Sequence, residues 1–352
     1  MEHGHGGHGN LHTVTLADDR SHSEVFSGQE YFANYGHCVV AESGGENVLL
    51  WTSPYIIKKG QYIVDEATIL QTTLIHGRYS PEEKGRMHDN SFISTGWNFP
   101  DYHKLDELKI TEKDNKITWA LAGREFSGKP PVWQVKGAHA GVSLDLTMKA
   151  LCPAFLYWSA HKDLKKTGKA VYEQYCTAEG VIETKEKKFP IKGYACHEHV
   201  VTGPQYNQVD TMSAPGFQWH LGYSPQLKYH VFVQPKASTG YGWAIVGDEV
   251  IPYADPKDVR SEEVEYWLDP RSGCRVPCKW HISMRTNKGI LDVTVGAYAR
   301  AYYFYIRKTG YVLIYWFLAS ANGAFIFPDG KTVRADGMQC GIEIGRTFLD
   351  TR

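Results

Sequence analysis

Within WQVKGAHAGVSLDLTMKAL (133–151), Leu144, Leu146 and Met148 alternate strictly with Asp145, Thr147 and Lys149. A period of two sends the apolar residues to one face of an extended strand and the polar ones to the other. The signal recurs along the chain. KYHVFVQP, GWAIVGDEVIP, EEVEYWL, CKWHISMRT, GILDVTVGAYARAYYFY, YVLIYWFLA and MQCGIEIGRTF all read as strands, with Gly, Pro, Asn or Asp between many of them. LLWTSPYII (49–57) is a short apolar run, and YIVDEATILQTTLIH (62–76) alternates imperfectly. Helical periodicity is scarce: in DLKKTGKAVYEQYC (163–176) a short helix competes with a loop leading into a strand.

Many strands without alternating helices indicate an all-β protein, its antiparallel sheets closed into barrels or packed as a sandwich. One barrel of about eight to ten strands uses far less chain than 352 residues, so two such units are expected. The polar stretch QYNQVDTMSAPG follows Gly203-Pro204 and separates two strand-rich halves. The expected organisation is a flexible His/Gly-rich tail over 1–30, an N-terminal domain over 31–204 and a C-terminal domain over 205–352. No sequence repeat relates the halves.

Composition narrows the function. Lys plus Arg (38) nearly cancels Asp plus Glu (39), so no global field invites nucleic acid or an anionic membrane. The longest apolar run, YVLIYWFL (311–318), falls far short of the roughly 18 residues of a membrane-spanning helix and reads as a buried strand. The N-terminus as written has no apolar signal-peptide core. With seven scattered cysteines and no glycosylation sequon, a reducing, cytoplasmic setting is expected, a signal trimmed beforehand being the route to secretion. The aromatic content of 13% suits pockets for flat, apolar ligands, so a hydrophobic small molecule is the expected partner.

No serine-nucleophile elbow, phosphate-binding loop, zinc-protease motif or dinucleotide fingerprint is present. Cys274 and Cys278 have a zinc-compatible spacing, but no second ligand pair stands nearby. His3, His5, His8 and His12 could capture a transition metal weakly or form a plain solvated tail. GYACHEHVVTG (193–203) is richer. On a strand, Ala195, His197, His199 and Val201 share one face, and Tyr194, Cys196, Glu198 and Val200 the other. Cys196, His197, Glu198 and His199 therefore cannot share one metal. The two histidines remain open to three roles: metal ligands with a third from elsewhere, a proton-transfer pair, or hydrogen-bonded structural residues. No metal and no cofactor are expected.

GY-x-x-x-E-H (193–199), ahead of the aromatic motif FQWHLGY (217–223), resembles the Asp-His element of the AttH and carotenoid-hydratase-like proteins. VKGAHAGVSLDLTMKALCP (135–153) is similar to a strand pair of their N-terminal domain, and CGIEIGRTF (340–348) to their closing strand. The resemblance covers about residues 40 to 350. Where the family has Asp-His-x-Trp-Gly, this chain has Glu198-His199-Val200-Val201-Thr202, with Gly203 one place late. The resemblance implies two lipocalin-like β-barrel domains, an architecture shared by fungal Diels–Alderases and prenyl hydratases. It implies a cofactor-free lyase or isomerase acting on a prenylated, terpenoid or polyketide-like compound by hydration, cyclisation or isomerisation. His199 and Glu198 are then the expected proton donor and its orienting partner, with His197 and His220 behind them. Trp219 and Tyr223 would shape the pocket and stabilise positive charge.

Further candidates come from the residues themselves. Glu66 lies in IVDEATI, as an outward-facing residue or a catalytic acid. Trp267, and Trp280-His281, are core or rim positions with some prospect of lining a pocket. Tyr302, Tyr303 and Tyr305 alternate, so only one subset can face a lumen, Tyr303 being the choice for substrate contact. A non-catalytic lipocalin-type carrier is the rival reading. Convergent ionisable groups in the lumen separate the two.

Overall fold

The computed structural model describes residues 10–60, 62–79, 90, 92–97, 101–156, 158–204, 216–234, 239–308 and 310–349. Two antiparallel sheets account for almost all of it. Neighbour to neighbour, the first runs Phe92–Thr95, Glu66–Gly77, Glu46–Lys58, Tyr31–Ser43, Lys188–Thr202, Lys169–Thr184, Val142–Ala150, Val132–His139, Arg124–Lys129, Lys116–Leu121 and Lys109–Lys113. The second runs Glu249–Tyr253, Thr239–Val246, Leu227–Gln234, Phe217–Tyr223, Met338–Leu349, Gly310–Ile326, Gly289–Arg307, Arg275–Thr286 and Val259–Leu268.

Each sheet curls until distant strands meet. Arg124 reaches across the first to donate to Thr52 and Thr72, at 3.1 and 2.6 Å. Gln218 and Arg346 both donate to Glu263 across the second. These are the two lipocalin-like units, and they pack face to face. Along Tyr31–Ser43, Tyr31, Ala33, Tyr35, Val39 and Ala41 enter the first unit's interior, while Phe32, Cys38 and Val40 join a core shared with the second. Gly310–Ile326 behaves alike: Leu313, Tyr315 and Phe317 point into its own unit, and Val312, Ile314, Trp316 and Leu318 into the shared core. Both faces of these central strands are buried, which is why YVLIYWFL carries no alternation.

Two readings of the sequence change. Residues 10 to 30, assigned to the tail on composition, are laid against the first unit: Asn10–His12 pairs with Ala154–Leu156, Ser23–Phe26 forms a 3-10 turn, and Asp19 and Phe26 are buried. Asp19 accepts from Tyr35 and Trp133 inside the barrel, so polarity at that position did not mean solvation. In 163–176 only Leu164–Thr167 is helical, and KAVYEQYC begins the long strand Lys169–Thr184. His3, His5 and His8 lie outside the described residues. No helix among the described residues is long and apolar enough to cross a membrane.

Candidate active site between the two sheets

The shared core is not filled completely. A cavity of about 110 Å³, partly open to solvent, lies between the sheets. Phe32, Trp51, Tyr55, Trp97, Trp219 and Tyr303 give it aromatic walls, and Asn34, Lys169, Glu198, Gln234 and Glu343 line it with polar groups. Trp51 stacks on Trp316 at 5.1 Å, and Trp219 meets Trp316 edge-on at 5.6 Å, so the walls are braced from behind.

Strand geometry delivers the carboxyl groups. Glu198 is on the Tyr194/Cys196/Val200 face of Lys188–Thr202, directly opposite Glu173 of the neighbouring strand. From the second sheet, Glu343 stands opposite both Trp219 and Trp316. Glu173 lies behind the wall, accepting Trp219 Nε1–H at 2.8 Å, with His230 Nδ1 2.5 Å from its other oxygen. Glu198 accepts from Asn34 Nδ2 at 2.6 Å. Glu198 and Glu343 keep partial access to the cavity and are otherwise enclosed by protein.

Enclosure sets their chemistry. Burial raises Glu173 above the ordinary carboxylate range, against the Trp219 hydrogen bond. Glu198 is raised by burial and then by the charge of Glu173, with Asn34 and Lys169 pulling the other way. Glu343 is held well above the carboxylate range by burial, then by Glu198 and Glu173. Three like groups in one apolar region cannot all ionise at neutral pH, so protonated carboxylic acid is available inside an aromatic pocket. Burial lowers Lys169 to about 8, and Glu198 opposes that shift.

The expected site residues fall in different places. Glu198, Trp219 and Tyr303 meet in the cavity wall. Tyr223 is in the shared core, stacked on Tyr194 at 5.0 Å, outside the cavity lining. His197 and His199 point the opposite way from Glu198, into the first unit. There His197 Nε2 lies 2.8 Å from the Tyr172 hydroxyl and His199 contacts the carbonyls of Asn34 and Arg20. The backbone of their strand separates His199 from Glu198, so the structure does not bring that expected pair together. His220 is inside the second unit against Trp280, near Gln218 and Ser261. Glu66 is exposed at a strand start, paired with Lys58. Trp267 sits over Arg300 at 5.1 Å, half-buried against the second unit's core. Trp280 is fully buried there and His281 is on the outside, 3.1 Å from Asp292. The side chain of Tyr305 lies outside the described residues.

Glu173, Glu343, Lys169, Asn34 and His230 were not singled out from sequence. Glu343 carried a usable signal, a lone carboxylate inside the apolar strand QCGIEIG.

These features define a two-unit lipocalin-like β protein with an acid-bearing cavity at the junction. The fold is that of the AttH-type proteins. It is similar to an AttH-type protein from Nitrosomonas europaea (11% identity, 96% of this chain and 97% of that one, TM-score 0.59). It is also similar to kievitone hydratase from Nectria haematococca (10% identity, 98% of each chain, TM-score 0.50). CghA, solved with Sch210972, matches at 9% identity over 92% of this chain and 90% of that one, with a TM-score of 0.57. No family model matches the sequence, and no curated protein matches it significantly.

Proposed function

We propose that the chain is a cofactor-independent enzyme that transforms a hydrophobic prenylated, terpenoid or polyketide-like molecule in the cavity between the sheets. The observation carrying this reading is the pair Glu198 and Glu343, two carboxyl groups held towards the neutral form on a wall of Trp and Tyr faces. In a hydration, the acid O–H protonates one alkene carbon and leaves a tertiary cation on the other. Trp51, Trp97 or Trp219 stabilises that cation by roughly 0.5–2 kcal/mol per ring face. Water adds to it, and the proton that water sheds returns to the carboxylate. In a cyclisation, the same O–H donates a hydrogen bond to a carbonyl while the walls hold the reacting ends together.

The hydratase among the similar structures supports the first chemistry by its name alone. A carrier explains the cavity equally well but has no use for two carboxyl groups in its wall and a third behind it, each costly to bury. The test is to screen prenylated phenols, terpenoids and linear polyketide-type dienes in H₂¹⁸O with wild-type, E198Q and E343Q chains. Label uptake marks hydration, and unlabelled isomeric product marks cyclisation or isomerisation. One or both variants are expected to lose turnover by about 10²–10⁴-fold, with binding retained as read by tryptophan fluorescence. Tight binding without turnover in the wild type moves the protein to the carrier class.

A further inference from the structure

The first unit encloses a second polar site that the proposed chemistry does not use. His199 on Lys188–Thr202, His161 at the start of a 3-10 turn and His22 beside Ser23–Phe26 converge there. Their rings form a stack, His22 on His161 at 4.8 Å and His161 on His199 at 4.8 Å. One ring nitrogen from each lies within 4.8 Å of the other two, the only such His/Cys/Asp/Glu group among the described residues.

The hydrogen bonding leaves this stack short of positive charge. His199 Nδ1 is 2.5 Å from the Asn34 carbonyl and its Nε2 is 2.8 Å from the Arg20 carbonyl. A neutral imidazole has one N–H, so one of its nitrogens must turn a lone pair towards a carbonyl oxygen. Both ring nitrogens of His161 are buried without a hydrogen-bond partner, and so is Nε2 of His22. An outer hydrogen bond such as that of His199 Nδ1 to the Asn34 carbonyl orients a metal-ligating histidine and leaves the opposite nitrogen to bind. His22 is held at φ 55, a left-handed conformation uncommon outside glycine, while its ring stacks on His161.

We propose that His22, His161 and His199 form a binding site for a borderline transition-metal ion such as Zn²⁺, with the Arg20 carbonyl as a fourth ligand. Neutral imidazoles suit zinc, copper and nickel rather than calcium or magnesium. A tetrahedral ion with Zn–N of about 2.0–2.1 Å sets its ligands roughly 3.4 Å apart. His199 Nε2 and the Arg20 oxygen, at 2.8 Å, already stand near a shared-ligand separation. The widest pair must close by about 1.4 Å, which the short surface turn carrying His22 can supply. Bound there, the ion fastens the segment from residue 10 to 30 to the barrel wall.

The test uses the full chain with His3, His5 and His8 replaced by glutamine, which removes the competing histidines of the N-terminus. After chelation it is titrated with Co²⁺, read by visible d–d absorption, and with Zn²⁺ as competitor. One ion per chain is expected. H161Q and H22Q should each weaken binding by about a hundredfold or more, beyond the loss typical of an outer-shell partner. Zn²⁺ at a hundredfold excess over Kd should raise Tm by about 3–4 °C, an increment lost in H22Q, whose turn position spares the core. No stoichiometric uptake by the substituted chain, or uptake undiminished in both H161Q and H22Q, overturns the assignment.

Discussion

Asn34 donates from Nδ2 to Glu198 Oε1 at 2.6 Å, and its Oδ1 accepts the Val200 N–H at 2.8 Å. One side-chain amide thus fixes the carboxyl in the cavity wall and the strand that carries it. The bond to Glu198 favours its ionised form, against burial and against Glu173. Asn34→Ala is expected to make Glu198 hold its proton more tightly. If that proton is the one delivered to substrate, the alkaline limb of the pH–rate profile moves to higher pH. A limb that moves downward or stays in place argues against Glu198 as the donor. Stability should also fall by about 1–3 kcal/mol, because the Val200 N–H loses its acceptor.

The same carboxyl groups make stability depend on pH. Glu173, Glu198 and Glu343 have folded-state values raised above their unfolded ones, so the folded chain holds more protons than the unfolded chain between the two. Stability then declines as pH rises from about 4.3 through the raised range. His161, His199, His220 and His230 are shifted down by burial, so their contribution is lost as pH falls below about 6.5. E343Q should lift the alkaline limb of a Tm–pH curve and leave the histidine-dependent acid limb in place. Equal shifts on both limbs would contradict this assignment.

Gly36 is a steric requirement of the cavity wall. A Cβ added there would lie 2.2 Å from Cη2 of Trp51. Gly36→Ala should push Trp51 off its stack on Trp316 and cost about 1–3 kcal/mol as overpacking. Urea denaturation measures the cost, and the position of Trp51 in a crystal structure of the variant reports the displacement. An unmoved Trp51 at wild-type stability would show that the wall is looser than this contact implies.

In the second unit, Asp269 accepts from Arg300 Nη2 at 2.6 Å and from the Tyr315 hydroxyl at 2.8 Å, with both charges fully buried. Asp269→Ala leaves the guanidinium without its carboxylate, and a loss of about 3–5 kcal/mol is expected in denaturant titration. The replacement D269A/R300M should recover part of that loss, since it removes both charges from the interior.

Much of the architecture was legible because period-two alternation is local. The split of residues 194–201 into a histidine face and a glutamate face followed from strand geometry alone. What each face meets depends on partners far along the chain: Tyr35, Tyr172 and Asp19 lie on one side, Trp219 and Glu343 on the other. Adjacency of Glu198 and His199 in sequence therefore suggested a pair that the pleat holds apart. Glu173 and Glu343 escaped notice for the same reason. Glu343 is the one acid of Met338–Leu349 and Glu173 is one of three in Lys169–Thr184, and the two become part of a cluster only when the sheets pack. The ordering of residues 10 to 30 was hidden because Asp19, a polar residue, is the common acceptor for Tyr35, Tyr172 and Trp133.

Because both faces of the strand are enclosed over residues 193–202, that stretch is a partition between two chambers. A slip of one residue in its pairing would carry Glu198 into the imidazole chamber and bring His199 into the aromatic cavity. Insertions or deletions within this strand are therefore far less tolerable than ordinary substitutions. In any chain descended from this one, the parity of the spacing across residues 193–202 should be more durable than the identity of the residues themselves.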